Sequence, residues 1–430
     1  MLIFAAAIAA ILVALLYRFW RSLYRAPGDV GRAVQSGRRR RGYKALTQGM
    51  VAVAAGEPDE ASRWAKRADT LLDEPPLTML LSAQAAQLTG DEAAAKRYFT
   101  AMLDSDETRF LGLRGLLTQA MRDGDTQAAL DYVRQAHALR PRTPWVLTSL
   151  FDLSQRCGDL TTAERALKDA ARAKALPAAE ATRKRAVLLL ERAQAAQRGG
   201  DTTAAQGLVR EAHKLAPDLT PASILLGELL VATGHLRRAE KVLEKAWAAA
   251  PHPDLARVYL AARPSGDGIE RLKRLGKLTA ARSDHPESHL ALARAALEAK
   301  LWGEARRHLS VAAGPDGLDG TPSESVCRLM AELVESEDGD ADTARAWLTR
   351  AADAPPDPAW VCGSCGAVAP AWSARCGACE AFDGLAWQQP PRVAPKVLDG
   401  PAEVLAGEQA AALPVVGAGE ASAPVPAEKA

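Results

Sequence analysis

Aromatic residues are scarce: Phe, Trp and Tyr make up 5% of the 430-residue chain, although 48% of it is hydrophobic. The apolar content is therefore mainly alanine and leucine, which favours closely packed helices over sheet. Net charge is nearly absent as well, +2 at neutral pH, so no global electrostatic case for a nucleic-acid partner arises. The six cysteines are too unevenly placed for a disulfide framework, since four form two C-x-x-C pairs while Cys157 and Cys327 stand alone. That distribution reads as a metal site in a reducing compartment. No G-x-G-x-x-G, G-x-x-x-x-G-K-[ST], H-E-x-x-H or G-x-S-x-G occurs, which removes the commonest nucleotide-binding, metalloprotease and hydrolase signatures. His137, His213, His235, His252, His285, His289 and His308 are scattered as surface or packing residues, and Pro286 is expected to break a helix that would align His285 with His289. The chain is not expected to be an enzyme.

One apolar run is present. Leu2 to Leu16 carries no charge, and Tyr17, Phe19 and Trp20 follow with only Arg18 between them. The run is short of the roughly 20 residues a span requires, but its aromatic end brings it to that length and suits a membrane interface. Arg21, Arg25, Arg32, Arg38, Arg39, Arg40, Arg41 and Lys44 come after it, and no Lys or Arg comes before. A cleaved signal would want the basic residues first and a small-residue exit. The expectation is a single-pass transmembrane anchor at 1–20 and a basic juxtamembrane segment at 21–44. The positive-inside rule puts the chain beyond the anchor in the cytoplasm. Arg38, Arg39, Arg40 and Arg41 would then meet anionic lipid headgroups rather than nucleic acid.

The middle of the chain, 45–355, repeats itself. A glycine, usually followed by an acid, and an alanine five residues after the glycine recur at Gly56/Ala61, Gly90/Ala95, Gly124/Ala129 and Gly158/Ala163, in steps of 34 residues. The pattern returns at Gly200/Ala205 and Gly234/Ala239, again 34 apart, after a step of 42 that puts an insertion near Lys174–Arg185. Later copies are Ala305, with Lys300 at the glycine position, and Gly339/Ala344, with a degenerate copy around Gly268–Pro286. Other positions keep the same register: Ala68, Ala136, Ala170, Ala212, Ala246, Ala312 and Ala351 after the motif alanine, then Pro141, Pro217, Pro251 and Pro356. Small residues, Gly49, Ala83, Ala193, Gly227 and Ala293, precede the glycine. Thirty-four residues is the tetratricopeptide period. Each unit is then a pair of antiparallel helices with the glycine at the turn, and neighbouring pairs stack because one pair cannot bury its own apolar faces. First helices of such pairs line a groove, so the exposed polar candidates for protein binding are Gln84, Gln87, Gln119 and Arg122.

Near the C-terminus, Cys362-x2-Cys365-x10-Cys376-x2-Cys379 forms two tight C-x-x-C turns within 360–388. Four thiolates close a tetrahedral shell with no open position for a catalytic water. Zinc is the expected ion, and iron in a rubredoxin-like site is the alternative. Trp360, Trp372, Phe382 and Trp387 are expected to pack around it, with metal binding supplying much of the folding free energy. Residues 389–430 are rich in Pro, Ala, Gly, Val and Glu without periodicity and read as a disordered tail. The fold class is thus all-α: a tetratricopeptide-repeat superhelix with an N-terminal transmembrane helix and a small zinc-ribbon or rubredoxin-like knuckle.

Three stretches carry a family likeness: RRRRGYKALTQGMVAVAAGE (38–57), PLTMLLSAQAAQLTGDEAAAKRYFTAML (76–103) and FLGLRGLLTQAMRDGD (110–125). With these the chain strongly resembles the HemY family of proteobacterial membrane tetratricopeptide proteins. Its WVCGSCG…WSARCGACEAFDGLAW end looks like the extension of alphaproteobacterial members, so the likeness covers roughly residues 1–388. The resemblance implies an inner-membrane scaffold tied to a late stage of haem biosynthesis, without catalytic activity. Its partners would be late haem-pathway enzymes or other membrane-associated proteins, with no nucleic acid and with a homo-oligomer as an open option. Many relatives have two apolar segments before the basic run, and this chain shows one. The unrelated flavin-dependent oxidase that shares the family's name would need a dinucleotide-binding glycine motif, which is missing. A second likeness is to LapB, which has one span, cytoplasmic repeats and the same cysteine spacing. It implies an adaptor that presents a membrane enzyme to a protease in lipopolysaccharide synthesis, but the repeats of LapB lack the three stretches quoted.

Overall fold

The computed structural model describes residues 2–72 and 75–391, without side-chain detail at 2–12, 19–34 and 75. The described chain divides into two compact units between Asp159 and Leu160. The first holds α1 (Leu2–Ala55), α2 (Pro58–Leu71), α3 (Pro75–Leu88), α4 (Glu92–Ala101), α5 (Arg109–Arg122), α6 (Thr126–Leu139) and α7 (Pro144–Arg156). The second holds α8 (Leu160–Arg172), α9 (Ala178–Arg198), α10 (Thr202–Leu215), α11 (Thr220–Ala232), α12 (Leu236–Ala249), α13 (Pro253–Ala261), α14 (Gly268–Thr279), α15 (Pro286–Glu298), α16 (Trp302–Ala312), α17 (Glu324–Asp338) and α18 (Ala341–Asp353). A small sheet ends it: β1 (Ala359–Cys362), β2 (Val368–Ala369) and β3 (Leu385–Gln388), antiparallel in the order β2-β1-β3.

The repeated Gly-acid pair does two jobs at the turns. At Gly90 the backbone is left-handed, with φ of +74°. That geometry lets the amide of Asp91 reach back to the carbonyl of Ala86 at 2.9 Å and close a Schellman turn on α3. The Asp91 carboxylate then accepts from the Ala94 amide at 2.9 Å and caps α4. Asp125 and Asp201 cap α6 and α10 in the same way, again at 2.9 Å. Lys300, where the pattern substitutes for glycine, adopts the same left-handed conformation, with φ of +57°.

The small positions are buried because helices cross there. Ala61, Ala95, Ala129, Ala163, Ala205, Ala239 and Ala305 are all 0% exposed. A side chain at Gly49 would sit 2.5 Å from Leu81, and one at Gly227 would sit 2.8 Å from Leu243. Ala312 is the exception in its register, being only half-buried. Pro141, Pro217, Pro251 and Pro356 lie just beyond α6, α10, α12 and α18, which they terminate. The inserted residues lengthen α9 to 21 residues.

At the N-terminus one helix, α1, runs without a break through positions 20 and 44. Among the described residues no helix is long and apolar enough to cross a membrane, so the expected transmembrane helix is not found. Most of the expected anchor, residues 1–12, lies outside the described side chains, and the tail from 392 lies outside the described residues. Pro286 starts α15 at its first turn rather than breaking a helix, and His285 caps it, its Nδ1 accepting from the Glu287 amide at 3.1 Å.

Candidate metal centre and its seat on the repeats

The two C-x-x-C turns have matching backbones. Cys362 N–H donates to the Ala367 carbonyl at 2.9 Å, and Cys376 N–H donates to the Ala381 carbonyl at 3.0 Å. Gly366 N–H returns to the Cys362 carbonyl at 2.8 Å, and Glu380 N–H returns to that of Cys376 at 2.9 Å. The residue after each second cysteine is left-handed, Gly366 at φ +73° and Glu380 at φ +57°. Only the first of these is a glycine, so the second turn carries about 1 kcal/mol of backbone strain.

This backbone brings the four sulfurs together, all within 4.8 Å of one another. Cys362 Sγ lies 3.7 Å from Cys379 Sγ, and Cys365 Sγ lies 3.7 Å from Cys376 Sγ. Sulfurs about 2.3 Å from a central ion in a tetrahedron are separated by about 3.8 Å, so the cluster fits a four-thiolate metal site. Burial pushes the Cys362 thiol up, but the amides of Cys365 and Ser364 outweigh that and bring it to about 7. Burial and the three neighbouring thiols push Cys379 up to about 12. A cation at the centre would remove that competition and release protons as it binds.

The module is seated on the second unit by side chains from both ends of its loops. Arg183 on α9 grips Asp383 with two hydrogen bonds, Nε to Oδ2 at 2.7 Å and Nη2 to Oδ1 at 3.3 Å. Arg375 faces Glu191, also on α9, at 3.6 Å. Ala374 is 5% exposed and packs into the core of α9 to α12 with the half-buried Trp372 and Phe382. His252, 2% exposed at the start of α13, lies with its ring 4.2 Å from that of Trp387 and 5.4 Å from that of Trp360. Burial drives this imidazole down to about 4, against the pull of Asp254. The linking strand is tied to α17, where Ser325 Oγ and N–H donate to Asp357 at 2.6 and 3.2 Å.

The expected groove residues fare unevenly. Gln84 and Gln87 are half-buried and Arg122 is exposed, 3.5 Å from Glu92. Gln119 is not the exposed residue expected. It is 5% exposed and donates to the Glu92 carbonyl at 2.8 Å, because it shares the buried face of α5 with Leu116 and Ala120. Of the basic run, Arg38 donates to the Thr70 carbonyl at 2.7 Å and so ties α1 to α2, although all four arginines are exposed. The first helices also carry an apolar column that a search for polar groove residues passes over, although the 34-residue register contains it. Tyr43, Leu77 and Leu111 stand 34 residues apart and are 40%, 44% and 39% exposed. Trp145 continues the register, with the Arg114 guanidinium 5.4 Å over its ring.

The model of the HemY protein N-terminus matches residues 1–90, and a tetratricopeptide-repeat model matches 196–263. The chain is also 32% identical over 375 residues to the "Probable magnetosome protein Mms48" of Magnetospirillum gryphiswaldense, covering 84% of this chain and 78% of that one. The chain belongs to the HemY-like tetratricopeptide family. Among solved structures, this HemY-like chain is similar to Naa15/Naa10 bound to HypK-THB, at 14% identity and a TM-score of 0.43, over 74% of this chain and about half, 51%, of that one. YrrB, a tetratricopeptide protein with an unusual peptide-binding site, superposes at a TM-score of 0.28 with 15% identity, over 44% of this chain and 95% of its own. The HemY-like repeats are of the protein-interaction type, and the four cysteines beyond them could hold a metal ion.

Proposed function

We propose that this HemY-like chain is a non-catalytic, membrane-anchored scaffold serving a late stage of haem biosynthesis, with zinc in its four-cysteine module. The exposed column of Tyr43, Leu77 and Leu111 supports the reading most directly: large apolar side chains repeated on one face of stacked helices fit a partner protein better than a small substrate. The HemY-type N-terminus supports the haem link. The apolar run ahead of Arg38 to Arg41 supports an inner-membrane location, with the repeats on the cytoplasmic side.

The test is proximity labelling from the full-length protein in its native cell, paired with a porphyrin profile. Late haem-pathway enzymes should be labelled, and a Tyr43→Ser, Leu77→Ser, Leu111→Ser triple variant should lose them and raise porphyrin precursors. Deleting residues 2–20 should move the protein to the soluble fraction. Labelling of a protease and lipid-A enzymes, with porphyrins unchanged, would replace this reading with a LapB-like adaptor.

A further inference from the structure

The ion pairs and ring contacts that hold the four-cysteine module come from first helices or their N-terminal ends: Arg183 and Glu191 on α9, His252 at the start of α13. That is the side on which tetratricopeptide pairs receive a partner. We infer that the first-helix face of α9 to α13 is a docking surface whose occupant is this chain's own four-cysteine module, and that metal binding and occupancy of that face form one coupled equilibrium. The inference rests on the metal reading of the cysteines and not on the haem-pathway reading.

Two observations carry it. First, the seating residues, Trp360, Ala374, Arg375, Asp383 and Trp387, are spread along the module. The module's own buried cluster is small, Trp360, Cys362, Cys376 and Leu385, with Val361 buried beside it in β1. So small a core cannot hold five distant residues in one arrangement without the cross-link through the sulfurs. Second, the surface beneath is matched to it in charge and shape. Arg183 has its bidentate acid in Asp383, Glu191 has Arg375, and His252 has two indoles. Losing the metal disperses the module, leaves Arg183 with Asp218 as its remaining acid, and uncovers Glu191 and the His252 imidazole on the same face. By linkage, whatever factor the seat adds to the affinity for metal, the metal adds to the seat, so weakening the seat weakens the hold on the metal.

The test uses the full chain loaded with zinc. Arg183→Glu and Asp383→Arg leave every sulfur in place. Each should raise the zinc dissociation constant about tenfold, measured by competition with a chromophoric chelator. The double variant should recover part of the loss, since Asp218 stays beside position 183. In the wild-type protein, stripping zinc should speed amide exchange along α9 to the rate seen in the Arg183→Glu variant. Unchanged zinc affinity in both single variants, or α9 exchange that ignores zinc, would overturn the coupling. Should a single variant lose its helical signal, exchange in the wild type with and without zinc decides alone.

Discussion

Glu287 is a buried acid whose environment is set by its burial and by two neighbours, Arg294 and Asp357. Burial raises its pKa from 4.5 to about 7, Arg294 opposes this, and Asp357 adds to it. Arg294 lies 3.5 Å away, near enough to attract, yet Glu287 Oε1 receives no hydrogen bond, so burial prevails. The native state therefore holds a proton that the unfolded chain gives up above about 4.5. The stability this contributes is complete below that pH and is lost as pH rises through about 7. Glu287→Gln should flatten the melting temperature between pH 5 and 8 and stabilise the protein by about 2 kcal/mol at the upper end. An unaltered slope in calorimetry would show that Glu287 ionises freely. Such residues were not legible in the sequence. Glu287 stands in an ordinary helix start, and His252 resembles any other loop histidine, until the fold brings Asp357 and two tryptophans against them. Gln119 failed for a related reason: one helical position separates a half-buried Thr118 from a buried neighbour, and no periodicity argument resolves a single step at a helix end.

At the level of helices and turns the sequence was far more legible. The 34-residue spacing located the turns at Gly56, Gly90, Gly124, Gly158, Gly200, Gly234 and Gly339, all of which are left-handed. It also placed a substitute at Lys300 and an insertion near Lys174–Arg185, which runs into the start of α9. The acid after the glycine had a role the pattern did not state, which is to cap the next helix. Asp125→Ala should cost about 1 kcal/mol by removing that cap. Gly124→Ala should cost about 1 kcal/mol by forcing a side chain into a left-handed turn with open space around it. The two act on different backbone groups of one turn, so denaturant titration of the double variant tests whether the losses add. The cysteine spacing likewise located the cluster of four sulfurs, whereas the three-stranded sheet and its seat on α9 were not legible, since both depend on pairings between residues far apart in sequence.

For the molecule as a whole, the length of α1 has a consequence for distance. It runs 54 residues, and its packed part begins near Gly42. A helix rises about 1.5 Å per residue, so residues 21–41 span roughly 30 Å. With residues 2–20 in a bilayer, the first repeat would hang about one protein diameter below the headgroups instead of lying on them. On that proposed arrangement the basic segment is a spacer, and its rigidity sets how far from the lipid a partner must present its own surface. Replacing residues 24–34 with a Gly-Ser chain of equal length should leave the protein in the membrane fraction. Partner labelling should nevertheless fall several-fold, because a flexible tether samples many heights where a helix keeps one. Labelling at the wild-type level would mean that the repeats find their partners by reach alone, with the helix serving only as a leash.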